Sequence, residues 1–247
     1  AADFQKQVIN YFVEEYKAGR TPNPCVVCNE KLKFGTLIQR ALQLGAEYIA
    51  TGHYARIEKN ADGTRTLLKR GRDPRKDQSY FLFSLRQPQL ARSLMPLGEL
   101  TKTETRGVAR EANLKTAEKE ESMEICFVPD KDYGKFLNKA NLVHKHRGEI
   151  ANLHGQVLGH HDGIEFFTIG QRKGLHISSP KPLYVIELDA ANNRVIAGDE
   201  SALEREELTV ERCNWIPYDA PPGPLEVTAK IRYNHPGTAA TVTPLDP

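Results

Sequence analysis

Two cysteines three positions apart, Cys25 and Cys28, are the residues of this 247-residue sequence whose types and spacing could do chemistry. They follow a loop with two prolines and precede a helical pattern that Asn29 could cap. Backbone N–H groups and the dipole at a helix N-terminus favour a thiolate, so the pattern predicts a lowered pKa and a nucleophilic Cys28. On its own, such a pair is equally typical of half a zinc site, a redox pair or core packing.

The two other cysteines stand alone in the sequence. Cys126 lies in a strand-like apolar stretch, which is typical of a buried core thiol. Cys213 has no sequence neighbour that could act with it, so we interpret it as structural. Spacing alone does not predict that Cys126 meets Cys28.

Apolar periodicity predicts the elements that must position these thiols. Helical spacing is found over residues 4–17 and 30–44, the second with a core face of Phe34, Leu37, Ile38 and Ala41. Residues 48–50 are typical of a short buried strand, and a hairpin is predicted from residues 55–57 and 66–68. A capping box predicts a helix from residue 101 to about residue 112. Strand patterns follow at residues 166–169, 183–188 and 238–243, so the fold class is α/β with a β-rich second half.

Composition excludes several classes of protein. Hydrophobic residues make up 39% and charged residues 27%, as in globular domains, and no apolar run is long enough to cross a bilayer. The net charge of +2 is too small to indicate a nucleic-acid partner. With no secretion leader and four cysteines, we expect a cytoplasmic protein with reduced thiols.

Seven short blocks of this chain occur in the order that is found in one enzyme family. In that order the chain resembles the tRNA-specific 2-thiouridylase family. The blocks are residues 19–24 with Cys28-Asn29 and Lys33-Phe34, residues 50–54, residues 76–82, residues 125–127 and residues 168–174.

The resemblance implies an ATP-dependent transfer of sulfur to C2 of the wobble uridine of tRNA, with Mg²⁺ expected beside the ATP. Cys126 would carry sulfur as a persulfide that a sulfur donor protein or cysteine desulfurase supplies. Cys28 would free that sulfur by forming a disulfide with Cys126. Gly52 would approach the adenosine of ATP.

The resemblance also implies which residues contact tRNA. Asn23, Pro24 and Cys25 would lie against the target base. The other implied contacts are Lys76, Asp77, Gln78, Arg232 and Tyr233. Without the family, a Lys-Asp-Gln triplet is more typical of a solvated turn. The basic, glycine-flanked residues 171–173 supply donors for phosphates.

The same family implies three domains in a monomer. We expect part of an adenine-nucleotide alpha-hydrolase-like (PP-loop ATPase) domain over residues 1–130, a β-rich connector over residues 131–200 and a partial C-terminal β-barrel over residues 201–247. The family's Ser-Gly-Gly-x-Asp-Ser loop for pyrophosphate does not occur here, so we interpret the sequence as lacking its first strands and the end of the barrel.

A second departure leaves the sulfur chemistry open. Many members have Asp where this chain has Cys25, and a set of Cys25, Cys28 and Cys126 is suited to a 4Fe-4S cluster that carries sulfide. Two further alternatives are a truncated homologue that binds tRNA without chemistry and a zinc-bearing RNA-binding module. The zinc module lacks compactly spaced ligands beyond Cys25 and Cys28.

Overall fold

A computed structural model describes residues 2–119, 125–128, 132–139 and 146–245. The chain divides into two compact units, each made of two segments. Unit 1 comprises Ala1–Cys28 and Glu121–Val210, and unit 2 comprises Asn29–Glu120 and Glu211–Pro247. The predicted domain boundary at residues 130 and 131 lies outside the described residues. The three-domain division therefore stays a prediction.

The N-terminal helix of unit 1 has three consecutive parts. Ala2–Phe4 (α1) leads into a π-helical part, Gln5–Ile9, and then into α2, Asn10–Lys17. The predicted helix is confirmed, and Gly19 follows its end with a left-handed φ of +70°. Its buried face packs against α7, Tyr133–Lys139, and a short segment before it. The core of this cluster is Phe12, Val13, Tyr16, Val128 and Leu137.

A four-stranded mixed sheet forms a second core in unit 1. Its strands are β5 (Gly148–Asn152), β6 (Val157–His161), β7 (Tyr184–Asp189) and β8 (Arg194–Gly198). They lie in the order β6-β5-β8-β7, with β5 parallel to β8 and the other pairs antiparallel. Apolar side chains from alternate strand positions and the adjoining loops fill one face, namely Ile150, Ile164, Phe167, Leu175, Val185, Val195 and Ala197.

The second helical segment of the chain begins earlier than predicted. It runs through α3 (Pro24–Val27), a π-helical part (Cys28–Thr36) and α4 (Leu37–Gln43). Two of its predicted core residues, Phe34 and Ile38, are buried, whereas Leu37 is 52% exposed. The wider π-helical turns shift the positions that follow around the axis relative to an ideal α-helix.

Short strands and helices make up the rest of unit 2. β1 (Ile49–Ala50) pairs in parallel with β4 (Ser93–Leu94). The predicted hairpin is confirmed as β2 (Ala55–Lys59) and β3 (Thr66–Arg70). The capping box is also confirmed, because Thr101 Oγ1 accepts from Glu104 N at the start of α6. The remaining elements are α5 (Gln87–Leu90), α6 (Lys102–Glu111), β9 (Leu225–Ala229) and β10 (Thr238–Val242).

The core of unit 2 collects side chains from both of its segments. Phe34, Leu82 and Leu90 are fully or almost fully buried, and Ile216 packs against them. β9 and β10 form an antiparallel hairpin, and no sheet of the described residues closes into a barrel. Within the described ranges, no helix has the length and apolar character that crossing a bilayer requires.

One strand prediction in unit 1 is wrong. Residues 166–169 are not a strand, since Ile164–Phe166 is a 3-10 helix and a turn follows it. Phe167 N donates to Ile164 O, and Gln171 N donates to Thr168 O, both at 2.9 Å. Phe167 N–H and the carbonyl of Thr168 thus take part in local hydrogen bonds typical of turns.

Candidate functional site

The first two cysteines lie on the opening turn of the second helical segment. Asn23 is the N-cap, its Oδ1 accepting from Val26 N at 3.3 Å, and Pro24 takes the first helical position. Cys25 follows Pro24 directly. The backbone N–H of Cys28 donates to the carbonyls of Pro24 and Cys25, so Cys28 lies one turn into the helix.

The sequence-based position of the helix start is therefore corrected by six residues. Asn29 does not cap the helix; it is buried, and its Nδ2 donates to Phe81 O at 3.0 Å. The two prolines were interpreted as a loop, but the fixed φ of Pro24 is compatible with a first helical residue. Cys25, rather than Cys28, is the cysteine nearest the helix N-terminus.

Both thiol-bearing residues are half-buried between buried neighbours. Pro24 and Val26 are buried, whereas Cys25 and Cys28 are partly exposed. The turn packs against the π-helical part of the N-terminal helix, Gln5–Ile9. This packing fixes the turn while both cysteines keep contact with solvent.

Cys126 lies on a turn and not on a strand, and it is exposed rather than part of the core. The turn is closed by a hydrogen bond from Val128 N to Ile125 O at 3.0 Å. Phe127 anchors it, with ring centroids 5.6 Å from Phe4, 5.4 Å from Phe12 and 5.5 Å from Phe136, all edge-on. Val128 is buried in the core cluster, whereas Cys126 on the same turn is exposed.

The N-terminal helix is the element that the predicted thiol sites share. The Cys25–Cys28 turn packs on Gln5–Ile9, and the Cys126 turn packs on Phe4 and Phe12. All three cysteines belong to unit 1. None of the four cysteines, all of which are described, forms a disulfide, so the predicted Cys28–Cys126 bond is not present in this thiol form.

The described residues do not assemble a metal site. No group of three or more His, Cys, Asp or Glu side chains in the described ranges is placed to hold a metal ion. The arrangement of Cys25, Cys28 and Cys126 therefore does not fit a 4Fe-4S cluster as it stands. A tetrahedral zinc site built on Cys25 and Cys28 is not assembled in the described part of the chain either.

Gly52 lies in unit 2 at the carboxyl end of the parallel strand pair. Thr51 N extends the pairing by donating to Leu94 O at 3.0 Å, and Gly52 follows as an exposed residue. A Cβ at Gly52 would meet only Leu97 Cδ1, at 3.6 Å, so the fold itself leaves room for a side chain there. Ligands of open α/β sheets bind at the carboxyl ends of strands, and Gly52 lies at such an end.

His53, next to Gly52, lies within the block of residues 50–54 that carries the family resemblance. Its Nδ1 lies 2.8 Å from Thr51 Oγ1, and its ring centroid lies 5.7 Å from that of Phe34. Burial, with the nearby charge of Lys33, lowers the pKa of His53 to about 4. The imidazole is therefore neutral at physiological pH. The motif in which His53 occurs was visible in the sequence, but its burial was not.

Two predicted tRNA-contact segments meet within unit 2. Tyr233 OH donates to the carbonyl of Asp77 at 3.3 Å, across 156 positions of sequence. The side chains of Asp77 and Gln78 hold the loop together: Asp77 Oδ1 accepts from Gly71 N at 2.9 Å, and Gln78 Oε1 accepts from Tyr54 N at 3.0 Å. These two side chains therefore shape the surface on which Lys76 lies.

A cluster of half-exposed rings with a lysine lies beside that contact. The Phe81 and Tyr233 centroids are 4.6 Å apart, and Tyr80 OH donates to Ile231 O at 3.2 Å. Lys230 Nζ lies 5.4 Å from the Tyr233 ring and 5.9 Å from the Tyr80 ring. Burial raises the pKa of Tyr80, against the opposing charge of Arg232. Rings beside cations can stack bases and hold phosphates. Arg232 and Tyr233 were predicted from the sequence, whereas Lys230, two positions before Arg232, was missed.

A basic pocket of about 340 Å³ lies in unit 1, next to the Gln171–Lys173 segment. Leu175 is buried at its floor, and Arg172, His176 and Lys181 line it. Gln171 Nε2 donates to Lys173 O at 2.8 Å, which fixes the loop. The pocket can accept an anionic group such as a phosphate.

Two protein-family models match the chain. The model of the tRNA methyl transferase HUP domain matches residues 1–130, and the model of the tRNA methyl transferase PRC-barrel domain matches residues 134–199. A nucleotide alpha-hydrolase-like domain followed by a second, β-rich domain is thereby confirmed.

Curated relatives extend the match over nearly the whole chain. The tRNA-specific 2-thiouridylase MnmA of Chlorobium luteolum is 50% identical over 251 residues, which covers 100% of this chain and 68% of the relative. Proteins with this description in Halothermothrix orenii and Clostridium botulinum are 47% and 44% identical, and each alignment covers 98% of this chain and 68% of the relative. The chain thus spans about two thirds of the length of these relatives.

Proposed function

The chain belongs to the tRNA-specific 2-thiouridylase family, and from this premise we propose that it transfers sulfur to C2 of the wobble uridine of tRNA. Cys126 carries the sulfur as a persulfide, and Cys28 is the nucleophile that releases it. One observation supports the proposal most directly. Cys126 is exposed on a turn that Phe127 anchors to the N-terminal helix. The Cys25–Cys28 turn packs on the same helix.

In the proposed reaction the terminal sulfur of the Cys126 persulfide attacks C2 of the uridine. Gly52 would lie beside bound ATP and Mg²⁺, and ATP would adenylate the C2 oxygen with release of pyrophosphate. As the C2–S bond forms, the C2–O bond then breaks and AMP leaves. The Cys28 thiolate then attacks Cys126 Sγ, which breaks the sulfur–sulfur bond to the uridine sulfur. A Cys28–Cys126 disulfide forms, and 2-thiouridine is released.

Binding of tRNA is proposed for the polar, basic and aromatic groups of both units. In unit 1, Asn23, Pro24 and Cys25 contact the target base. In unit 2, Lys76 and Arg232 supply cations, with Asp77 and Gln78 shaping the loop. The half-exposed ring of Tyr233 supports stacking of a base beside them. A cysteine desulfurase or another sulfur donor protein loads Cys126, and we expect a cytoplasmic monomer.

The experiment that tests this function follows labelled sulfur on the protein and on tRNA. The chain is incubated with a cysteine desulfurase, ³⁵S-cysteine, ATP and tRNA, and peptides and nucleosides are then separated. We expect label on the tryptic peptide of residues 120–131, which contains Cys126. Cys126→Ser should lose this label, and Cys28→Ser should keep it while 2-thiouridine falls by at least about 10³-fold.

Cys213→Ser is the matched control, because Cys213 is exposed and belongs to unit 2. Label on the protein that persists in Cys126→Ser would refute the persulfide role. Binding of tRNA with no label on any cysteine would favour a tRNA-binding homologue without chemistry. Bound zinc without sulfur transfer would favour the RNA-binding module.

The cluster alternative needs a different arrangement of the thiols. The described residues do not bring three possible metal ligands together. Anaerobic reconstitution with iron and sulfide tests it directly: about four irons per chain, lost in Cys25→Ser, would replace the persulfide relay with a cluster.

A further inference from the structure

Cys25 and Cys28 form a pair within one helical turn. The N–H of Cys28 donates to the carbonyl of Cys25, and both residues are partly exposed. Residues three apart on a helix lie on the same face. The persulfide relay of Cys28 and Cys126 leaves the Cys25 thiol without a chemical role, although it is the thiol nearest to Cys28 in sequence.

The geometry of this turn permits a disulfide. Helix dimensions separate the Cα atoms of residues i and i+3 by about 5 Å, from a rise of about 1.5 Å per residue and a radius of about 2.3 Å. Disulfides join Cα atoms roughly 4.4–6.8 Å apart. The hydrogen bond between Cys28 N and Cys25 O keeps the turn tight, so the two thiols can meet through side-chain rotation.

We propose that Cys25 is the resolving thiol of the sulfur-transfer cycle. Its thiolate attacks Cys28 Sγ in the Cys28–Cys126 disulfide that the proposed function generates, and the inference rests on that function. The bond between Cys28 and Cys126 breaks, a Cys25–Cys28 disulfide forms, and Cys126 leaves as a thiolate that takes up the proton from Cys25. The exchange has no net oxidation and needs no co-reactant.

The exchange allows Cys126 to be reloaded with sulfur before the disulfide is reduced. Without it, the Cys28–Cys126 disulfide must be reduced before Cys126 can accept sulfur again. Cys126 regains its thiol and can accept the next sulfur, while the oxidising equivalents remain on the Cys25–Cys28 turn. A protein or small-molecule dithiol then reduces this disulfide and is itself oxidised. Cys126, the thiol that is loaded with sulfur, is exposed, whereas Cys25 and Cys28 are half-buried.

Disulfide mapping on the whole chain tests the exchange without tRNA or ATP. The chain is equilibrated in glutathione redox buffer, quenched with N-ethylmaleimide at intervals and digested with trypsin. Because Cys25 and Cys28 share the peptide of residues 21–31, their disulfide makes that one peptide lighter by two hydrogen atoms. A Cys28–Cys126 disulfide instead joins residues 21–31 to residues 120–131.

The two peptides linked by the Cys28–Cys126 disulfide are called the joined species. In the wild-type chain we expect the joined species to decay while the peptide with the Cys25–Cys28 disulfide accumulates. At equilibrium that peptide should exceed the joined species at least about tenfold, which corresponds to ~1.4 kcal/mol. In Cys25→Ser and Cys25→Ala the joined species should persist. Cys213→Ser should behave as the wild type, since Cys213 lies outside both peptides.

Three results would overturn the inference. The first is that the joined species dominates at equilibrium in the wild type, with Cys25 alkylated. The second is that the peptide of residues 21–31 never contains an internal disulfide. The third is that bound iron protects all three cysteines from alkylation. Failure of the proposed function gives a different pattern, because the joined species would then be absent from Cys25→Ser as well.

Discussion

At the scale of single residues, the environment of each side chain separates working groups from structural ones. Cys126 is exposed although it lies between apolar residues, because Phe127 and Val128 occupy the core in its place. Asp77 and Gln78, by contrast, use their side-chain oxygens on backbone N–H groups of their own unit. Side-chain type alone did not distinguish these two situations.

His53 makes the stability of unit 2 depend on pH. Its pKa is lowered from 6.5 to about 4, so the folded ring stays neutral down to about pH 4 while the unfolded chain binds a proton near pH 6.5. The unfolded state therefore binds more protons between these values, and the free energy of unfolding falls as pH decreases. We expect a loss of about 2 kcal/mol between pH 7 and pH 5.

Urea unfolding of wild type and His53→Gln at both pH values measures this loss. The variant should lose about 2 kcal/mol less than the wild type, since glutamine does not titrate. His154→Gln, at an exposed position on the sheet side of unit 1, should change as the wild type does. An equal pH dependence in wild type and His53→Gln would contradict the assignment.

At the scale of elements, caps and short turns decide where the thiols lie. The Asn23 cap and Pro24 begin the helix before the cysteines, and the ring contacts of Phe127 hold the Cys126 turn. Both devices act on backbone positions next to a cysteine. Their loss should therefore change thiol reactivity as well as stability.

Asn23→Ala should destabilise the chain by about 1 kcal/mol, because Val26 N loses its side-chain acceptor. Fraying of the first turn should also speed alkylation of Cys25 and Cys28, which quantitative mapping of residues 21–31 records. Thr101→Ala is the matched control: it removes the cap of α6 in unit 2 and should cost a similar free energy. Equal alkylation rates in both variants would show that the cap does not govern the thiols.

Local signals predicted many of these elements and misplaced others. The hairpin of β2 and β3 and the cap at Thr101 follow from turn composition and a four-residue motif, which act within a few positions. The start of the cysteine-bearing helix was missed because Pro24 is compatible with both a loop and a first helical turn. The strand predicted at residues 166–169 is wrong because strand formation depends on distant residues as well as on the local apolar pattern.

At the scale of the whole molecule, the candidate chemistry is distributed over two units. Unit 1 contains the three cysteines and the basic pocket at Arg172, and unit 2 contains Gly52 and the ring cluster at Tyr233. The family resemblance predicts roles for the three cysteines, Gly52 and Tyr233, which stay predictions, and it predicts none for Lys230. Apolar periodicity could not predict them, because tertiary burial and long-range pairs such as Tyr233 with Asp77 determine their surroundings.

Because basic residues of both units are proposed to bind tRNA, we expect their contributions to the salt dependence of tRNA binding to add. Replacing Arg172 and Lys181 in unit 1, or Lys230 and Arg232 in unit 2, by alanine should each lower the slope of log Kd against log salt by about 1–2. The combined variant should lower it by the sum of the two, since the sites do not share partners.

Filter binding over a range of salt concentrations measures these slopes. Lys17→Ala with Arg20→Ala is the matched control, because both cations already pair with Glu14 and Glu15. It should leave the slope nearly unchanged. An unchanged slope in either test pair would remove that unit from the tRNA-binding surface.

The two-segment construction of unit 1 has a consequence for its synthesis on the ribosome. Phe12, Val13 and Tyr16 are made early, but Val128 and Leu137, which cover them, are made after the whole first segment of unit 2. At ordinary translation rates the nascent chain holds this aromatic stripe uncovered for roughly 5–20 s. During that interval the short helix is marginally stable on its own, and its exposed apolar face favours aggregation. Chaperone dependence of this protein should therefore arise during translation, before Val128 and Leu137 are made.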